Sequence, residues 1–127
     1  MIRKIKEVLE KEKAVVFAYL YGSSVRNEKY AKDVDIAVFV KGRVSPNFER
    51  RLARKISESI NKEAEVVILN DKPLLFVLEV LKNCKLIFSK NERMRINYET
   101  TMLAQIQDFN ELMKEYDLKR FERYGIG

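Results

Sequence analysis

Apolar positions recur along the chain in two rhythms, and the switches between them divide it into elements. From Ile2 to Lys13 the apolar residues stand at 2, 5, 8 and 9 among lysines and glutamates. That is the one-sided pattern of a surface helix. Ala14 to Tyr21 is apolar almost without a break, which predicts a strand covered on both faces. After Gly22-Ser23-Ser24 a short helix is expected from Ser24 to about Tyr30, and a second strand from Asp33 to Val40. Ser45-Pro46 reads as a cap followed by the first helical residue. The helix from Pro46 to about Asn61 then presents Phe48, Leu52, Ile56 and Ile60 four residues apart, as one stripe.

The second half continues the alternation. Glu65 to Leu69 predicts a third strand. Asp71 is positioned to cap a helix with Pro73 in its first turn, and Leu74 to Leu81 is apolar enough to bury one face against the sheet and offer the rest to the C-terminal helix or to a partner chain. Cys84 to Phe88 predicts a short fourth strand. Ser89-Lys90-Asn91-Glu92 matches a capping box. It opens a long helix, roughly Asn91 to Asp117, with Ile96, Leu103, Ile106, Phe109, Met113 and Tyr116 at three- and four-residue steps. Its far half, and the tail from Phe121 to Gly127 with Tyr124, are expected to project or to dock another subunit. Strands alternating with helices over 127 residues predict one domain, residues 1–127, of the α/β or α+β class.

Composition narrows the chemistry. The chain has no histidine, which excludes histidine metal sites, a Ser-His-Asp triad and a histidine general base. A single cysteine, Cys84, excludes an internal disulfide, and its place in a strand-like run predicts a small packed side chain. Arg3, Lys4, Lys6 and Glu7 put charge within the first few residues, and no apolar run reaches the roughly 18 residues needed to cross a bilayer. A cytoplasmic protein without a leader is therefore expected. The net charge is +6, and residues 41–62 hold Lys41, Arg43, Arg50, Arg51, Arg54, Lys55 and Lys62 against Glu49 and Glu58. That segment reads as the solvated face of a helix or as a surface for an anionic partner such as nucleic acid.

The candidate chemistry lies between Tyr19 and Val40. Residues two apart on a strand point to the same side, so Asp33 and Asp35 aim their carboxylates together. Their repulsion is relieved by a divalent cation, and magnesium suits a few carboxylates plus phosphate oxygens. Gly22 permits a tight turn and a close backbone approach. Ser23 and Ser24 are expected to cap the following helix, whose first amides suit a phosphate. A phosphate cradle beside a carboxylate pair is the equipment of phosphoryl or nucleotidyl transfer.

The order strand, Gly22-Ser23, Asp33-Val34-Asp35, strand resembles the nucleotidyltransferase superfamily that includes DNA polymerase beta, and most closely its minimal MNT-type members. The resemblance implies the nucleotidyltransferase fold, with a mixed sheet of about four strands flanked by helices. It implies Gly22, Ser23 and Arg26 as nucleotide contacts, and Asp33, Asp35 and Glu65 as catalytic metal ligands for two Mg²⁺ ions, with ATP as substrate. Glu65 stands where the family normally has aspartate, Ser24 and Asn27 replace a common arginine and glycine, and Lys32 replaces a common serine. MNT-type proteins act as antitoxins to HEPN-domain ribonucleases, by moving AMP onto a tyrosine of the toxin within an oligomeric complex. The alternatives are a non-catalytic antitoxin that neutralises its partner by binding, a small-molecule nucleotidyltransferase, and a nucleic-acid-binding module built on residues 41–62.

Overall fold

The computed structural model describes residues 1–27 and 30–123, the last eight of these as backbone alone. Its elements run α1 (Ile2–Glu10), β1 (Val15–Tyr21), a single 3₁₀ turn (Gly22–Val25), β2 (Asp33–Val40), α2 (Phe48–Ile60), β3 (Glu63–Ile68), α3 (Leu74–Lys82), β4 (Lys85–Ser89) and α4 (Glu92–Arg123). The four strands form one mixed sheet in the order β3-β2-β1-β4. β1 is antiparallel to both β2 and β4, and β2 is parallel to β3.

Strand alternation divides the core into two layers. Val15, Ala18, Leu20, Val34, Ile36 and Val38 face α1 and α2, where Ile5, Leu9, Phe48, Leu52 and Ile56 bury against them. Phe17, Tyr19 and Ala37 face α3 and α4 and meet Val77, Val80, Met94, Tyr98 and Met102. The continuous apolar character of β1 therefore reflects helices on both sides of a central strand. On the second face, Phe17 stacks on Phe39 at 4.7 Å between ring centroids. Tyr19 donates a 2.6 Å hydrogen bond to Glu99, which also accepts one from Arg95 at 2.9 Å. These bonds fasten the start of α4 to the sheet.

The expected elements are present, with corrections at their ends. The short helix from Ser24 to Tyr30 is instead the Gly22–Val25 turn, and positions 28 and 29 lie outside the described residues. Neither Ser23 nor Ser24 caps it; the buried Ser24 hydroxyl donates backward to the Tyr21 carbonyl at 3.2 Å. α2 begins two residues after Pro46, because Ser45 spends its hydroxyl on the Asn47 side chain at 2.7 Å. α2 ends at Asn61, which takes the left-handed conformation at φ 58°. β3 starts at Glu63, so Glu65 is its third residue. Pro73, not Asp71, stands at the start of α3. Cys84 precedes β4 and is half-buried on the α3 side, and burial pushes its thiol pKa up.

α4 departs most from expectation. Its N-cap is Asn91, whose side chain accepts the Met94 amide at 3.1 Å, two residues later than the Ser89 capping box required. Its inward stripe is Met94, Tyr98, Met102, Ile106 and Phe109, whereas Ile96, Leu103 and Met113 are exposed. Spaced three and four residues apart, the inward side chains share the one helix face that lies on the second face of the sheet. At 1.5 Å per residue the 32 residues of α4 extend about 48 Å. From Asn110 to Glu115 every side chain is exposed. Tyr116 and the tail beyond Arg123 lie outside the described side chains and residues. Among the described residues no helix is long and apolar enough to cross a membrane.

Candidate active site

The site forms where β1 ends and β2 begins. Antiparallel pairing sets Tyr21 opposite Asp35, and parallel pairing sets Asp35 beside Glu65 and Asp33 beside Glu63. Asp35 thus has Tyr21 on one neighbouring strand and Glu65 on the other. Asp33 lies two residues along the same side. The sheet register alone brings three of the expected acids to one edge.

Gly22 closes this edge. It has φ +76°, a conformation that side-chain-bearing residues rarely adopt. A methyl group placed on it would stand 2.7 Å from Asp35 Oδ2, inside contact distance. The glycine is therefore required twice, for the turn and for the approach of backbone to carboxylate. Ser23 follows it at the surface, while Ser24 is fully buried. The two adjacent serines divide their work: Ser24 holds the turn, and Ser23 faces outward beside a cavity of about 380 Å³. Gly22, Ser23, Arg26 and Asn27 line one side of that cavity, and Glu79, Lys82 and Asn83 at the end of α3 line the other. Arg26 is exposed there, one residue past the turn.

The electrostatics follow from burial among like charges. Partial burial raises the Asp35 pKa above its ordinary value, and the charges of Glu65 and then Asp33 raise it further. Tyr21, shielded by the sheet and facing Asp35 and Glu65, has its phenol pushed up to about 12. None of the ion pairs among the described residues engages Asp33, Asp35 or Glu65. Among the described residues no cation pairs with the three carboxylates, and Asp35 feels the charges of Glu65 and Asp33. Among the described residues no three acidic side chains close into one metal-sized shell. The donor set, hard oxygens with uncompensated charge at a strand edge, still fits magnesium.

Three contributors escaped the sequence reading. Tyr21 was visible only as an apolar strand residue, although its spacing of two and four residues from Tyr19 and Phe17 puts it on the second face of the sheet. Lys82 and Asn83 join the site through the packing of α3, and no local signal marks them.

Known proteins agree with this architecture. Residues 3–93 match the family model described as polymerase beta nucleotidyltransferase. No curated protein matches the chain by sequence. Among solved structures, a chain of a toxin–antitoxin complex with AMP-PNP is 16% identical, with a TM-score of 0.74 over 94% of this chain and 98% of that one. A chain from the complex of tri-AMPylated Shewanella oneidensis HEPN toxin with MNT antitoxin is 15% identical, with a TM-score of 0.70 over 95% of this chain and 99% of that one. A chain of an MntA–HepT toxin–antitoxin complex is 16% identical, with a TM-score of 0.70 over 94% and 96%. These likenesses are of fold. The family model spans most of the sequence and includes the Gly22 turn, both strand aspartates and Glu65, and on that ground the chain belongs to the polymerase beta nucleotidyltransferase family.

Proposed function

We propose that this chain is a magnesium-dependent nucleotidyltransferase that moves AMP from ATP onto a tyrosine of a HEPN-type toxin and thereby acts as its antitoxin. The observation that carries the reading is the contact between Gly22 and the Asp35 carboxylate, because it joins the phosphate-binding turn to the acidic strand edge. The family and the similar folds found in AMP-PNP-bound and AMPylated complexes support the choice of donor and acceptor.

Each residue then has a role. Gly22 and Ser23 hold the terminal phosphates through backbone amides and the serine hydroxyl. Arg26, exposed on the same cavity, contacts phosphate or partner. Asp33, Asp35 and Glu65 would hold magnesium, two ions in all. Bound there, magnesium supplies charge to the attacking oxygen and to the pyrophosphate leaving group. The tyrosine oxygen forms a bond to the α-phosphorus as the bond to pyrophosphate breaks, and Glu65 accepts the hydroxyl proton.

The test is to incubate the chain and its partner with ATP and magnesium and to weigh the partner intact. A gain of one AMP or several, absent with Asp33→Ala, is the expected result. A second reading draws on the separation of the acidic side chains and on the exposure of Glu65. In it the chain neutralises its partner by binding alone. A partner that is silenced yet unchanged in mass would establish that reading against the first.

A further inference from the structure

The far end of the sheet, where β1 begins and β2 ends, carries a second charged surface of opposite sign. Lys41 bonds its amide to the Ala14 carbonyl, so the chain leaving β2 runs beside the chain entering β1. Two hollows open there. One, of about 480 Å³, is rimmed by Lys11, Lys13, Arg43, Arg51 and Lys55 above the buried Phe48. The other, of about 240 Å³, adjoins it and is lined by Asn47, Arg50, Arg51 and Arg54. The single acid in these linings is Glu12, which pairs with Arg51 at 3.5 Å and Lys55 at 3.0 Å. Glu58 lies on the outer flank beside Lys55, and Glu49 precedes Arg50. Lys11, Lys13, Lys41, Arg43, Arg50 and Arg54 are exposed and form no ion pair among the described residues.

We propose that this basic face binds the phosphate backbone of a nucleic acid, independently of base sequence. Arg50 and Arg54 stand one helical turn apart, about 6 Å, along α2. A row of guanidinium groups at that interval suits a polymer with regularly repeated charge, and arginine pairs with phosphate through two donors at once. Arg51 is held in place over the Phe48 ring, 5.6 Å from its centroid, as well as by Glu12. The large apolar side chains that are exposed (Tyr30, Leu75, Leu86, Ile96, Leu103, Leu112 and Met113) all lie outside the two hollows. The face therefore lacks the apolar centre on which protein interfaces depend and the aromatic platforms on which bases stack. Charge alone remains, and charge alone reads backbone.

The experiment is fluorescence anisotropy with a labelled single-stranded RNA and a labelled DNA duplex, without ATP, magnesium or partner. Binding is expected for at least one of them, with affinity falling steeply as salt rises. The variant Arg43→Gln/Arg50→Gln/Arg54→Gln should lose at least about tenfold in affinity, and its salt slope should shrink by about 2 to 3. Circular dichroism checks that the variant folds. Replacing Lys4 and Lys6 on the exposed side of α1 by glutamine removes charge elsewhere and should leave affinity nearly unchanged. The proposal is overturned if neither polymer binds at low salt, or if the α1 variant weakens binding as much as the arginine variant. It is equally overturned if neither polymer binds while the arginine variant weakens attachment to a partner protein, for the face would then belong to an acidic protein surface.

Discussion

At one end of β2 Asp33 and Asp35 point the same way, with Asp35 beside Gly22 and Glu65; at the other, Lys41 and Arg43 leave the strand into a face of cations that Glu12 only partly pairs. Roughly 23 Å of strand separates the two. The acidic end is built by backbone register. The strands beneath its side chains are fixed by backbone pairing, Asp35 among them is partly buried, and Glu65 and Asp33 repel it. The basic end is built by long exposed side chains that repel little because water screens them. A site of the first kind depends on single atoms, and one of the second kind spreads its work over many residues. Removing one group should therefore abolish function at the acidic end and only dilute it at the basic end.

The sharpest test of that contrast is Asp35→Asn. On the proposed role of Asp35 as a magnesium ligand, transfer should fall by at least about a hundredfold, more than the usual loss on removing a supporting residue. Stability should not fall with it. The folded pKa of Asp35 is raised, so its neutral form favours folding below the unfolded value, and that advantage is lost as pH rises through the folded value. At neutral pH the ionised carboxylate opposes folding, and the amide removes that opposition. A thermal melt in which the variant is markedly less stable would break the comparison, because Asp35 would then be a structural residue.

Gly22→Ala comes next. The left-handed backbone costs about 1 to 2 kcal/mol with a side chain present, and the new methyl group collides with Asp35. Activity and melting temperature should both fall, unlike in Asp35→Asn. Alkaline titration probes the shielding of the same edge. The Tyr21 phenol is raised to about 12, so a favourable contribution present below about pH 10 is lost as pH climbs toward 12. Tyr98, also raised to about 12 by burial, adds to the same loss. Absorbance at the tyrosinate band should rise late and together with unfolding. The smallest effect belongs to the basic end. Glu12→Gln frees Arg51 and Lys55 and should strengthen anion binding a few-fold. It should cost less than about 1 kcal/mol of stability, as partly exposed pairs do.

The two ends also differ in how far the sequence announces them. β2 was legible to the residue, because Asp33 and Val40 bound an apolar run. Gly22, Asp33 and Asp35 were legible because short spacing along one strand and one turn fixes their relation. Glu65 was placed on a third strand, but that it stands directly beside Asp35 required the parallel register, which no local pattern states. Tyr21 opposite Asp35 likewise depends on antiparallel pairing. The Ser24 hydroxyl was misread as a cap, since nothing in a serine pair says which one turns inward. Of the stripe expected on α4, Ile106 and Phe109 turn inward, but Ile96, Leu103 and Met113 are exposed, and Met94, Tyr98 and Met102 take the inward places on the preceding turns. The cationic segment was plain in the sequence, and only the meeting of α1, α2 and the β2 exit shows that Lys11 and Lys13 belong with it.

The root of α4 is pinned by Tyr19 and Arg95 through Glu99, while from Asn110 to Glu115 its side chains are exposed. A rod anchored at one end and bare at the other works as a lever. Whatever grips Leu112 or Met113 can transmit a pull along the rod to the β1 residue two places before Tyr21. A protease offered the isolated chain should cut that far stretch first, and a companion that sheathes it should protect it.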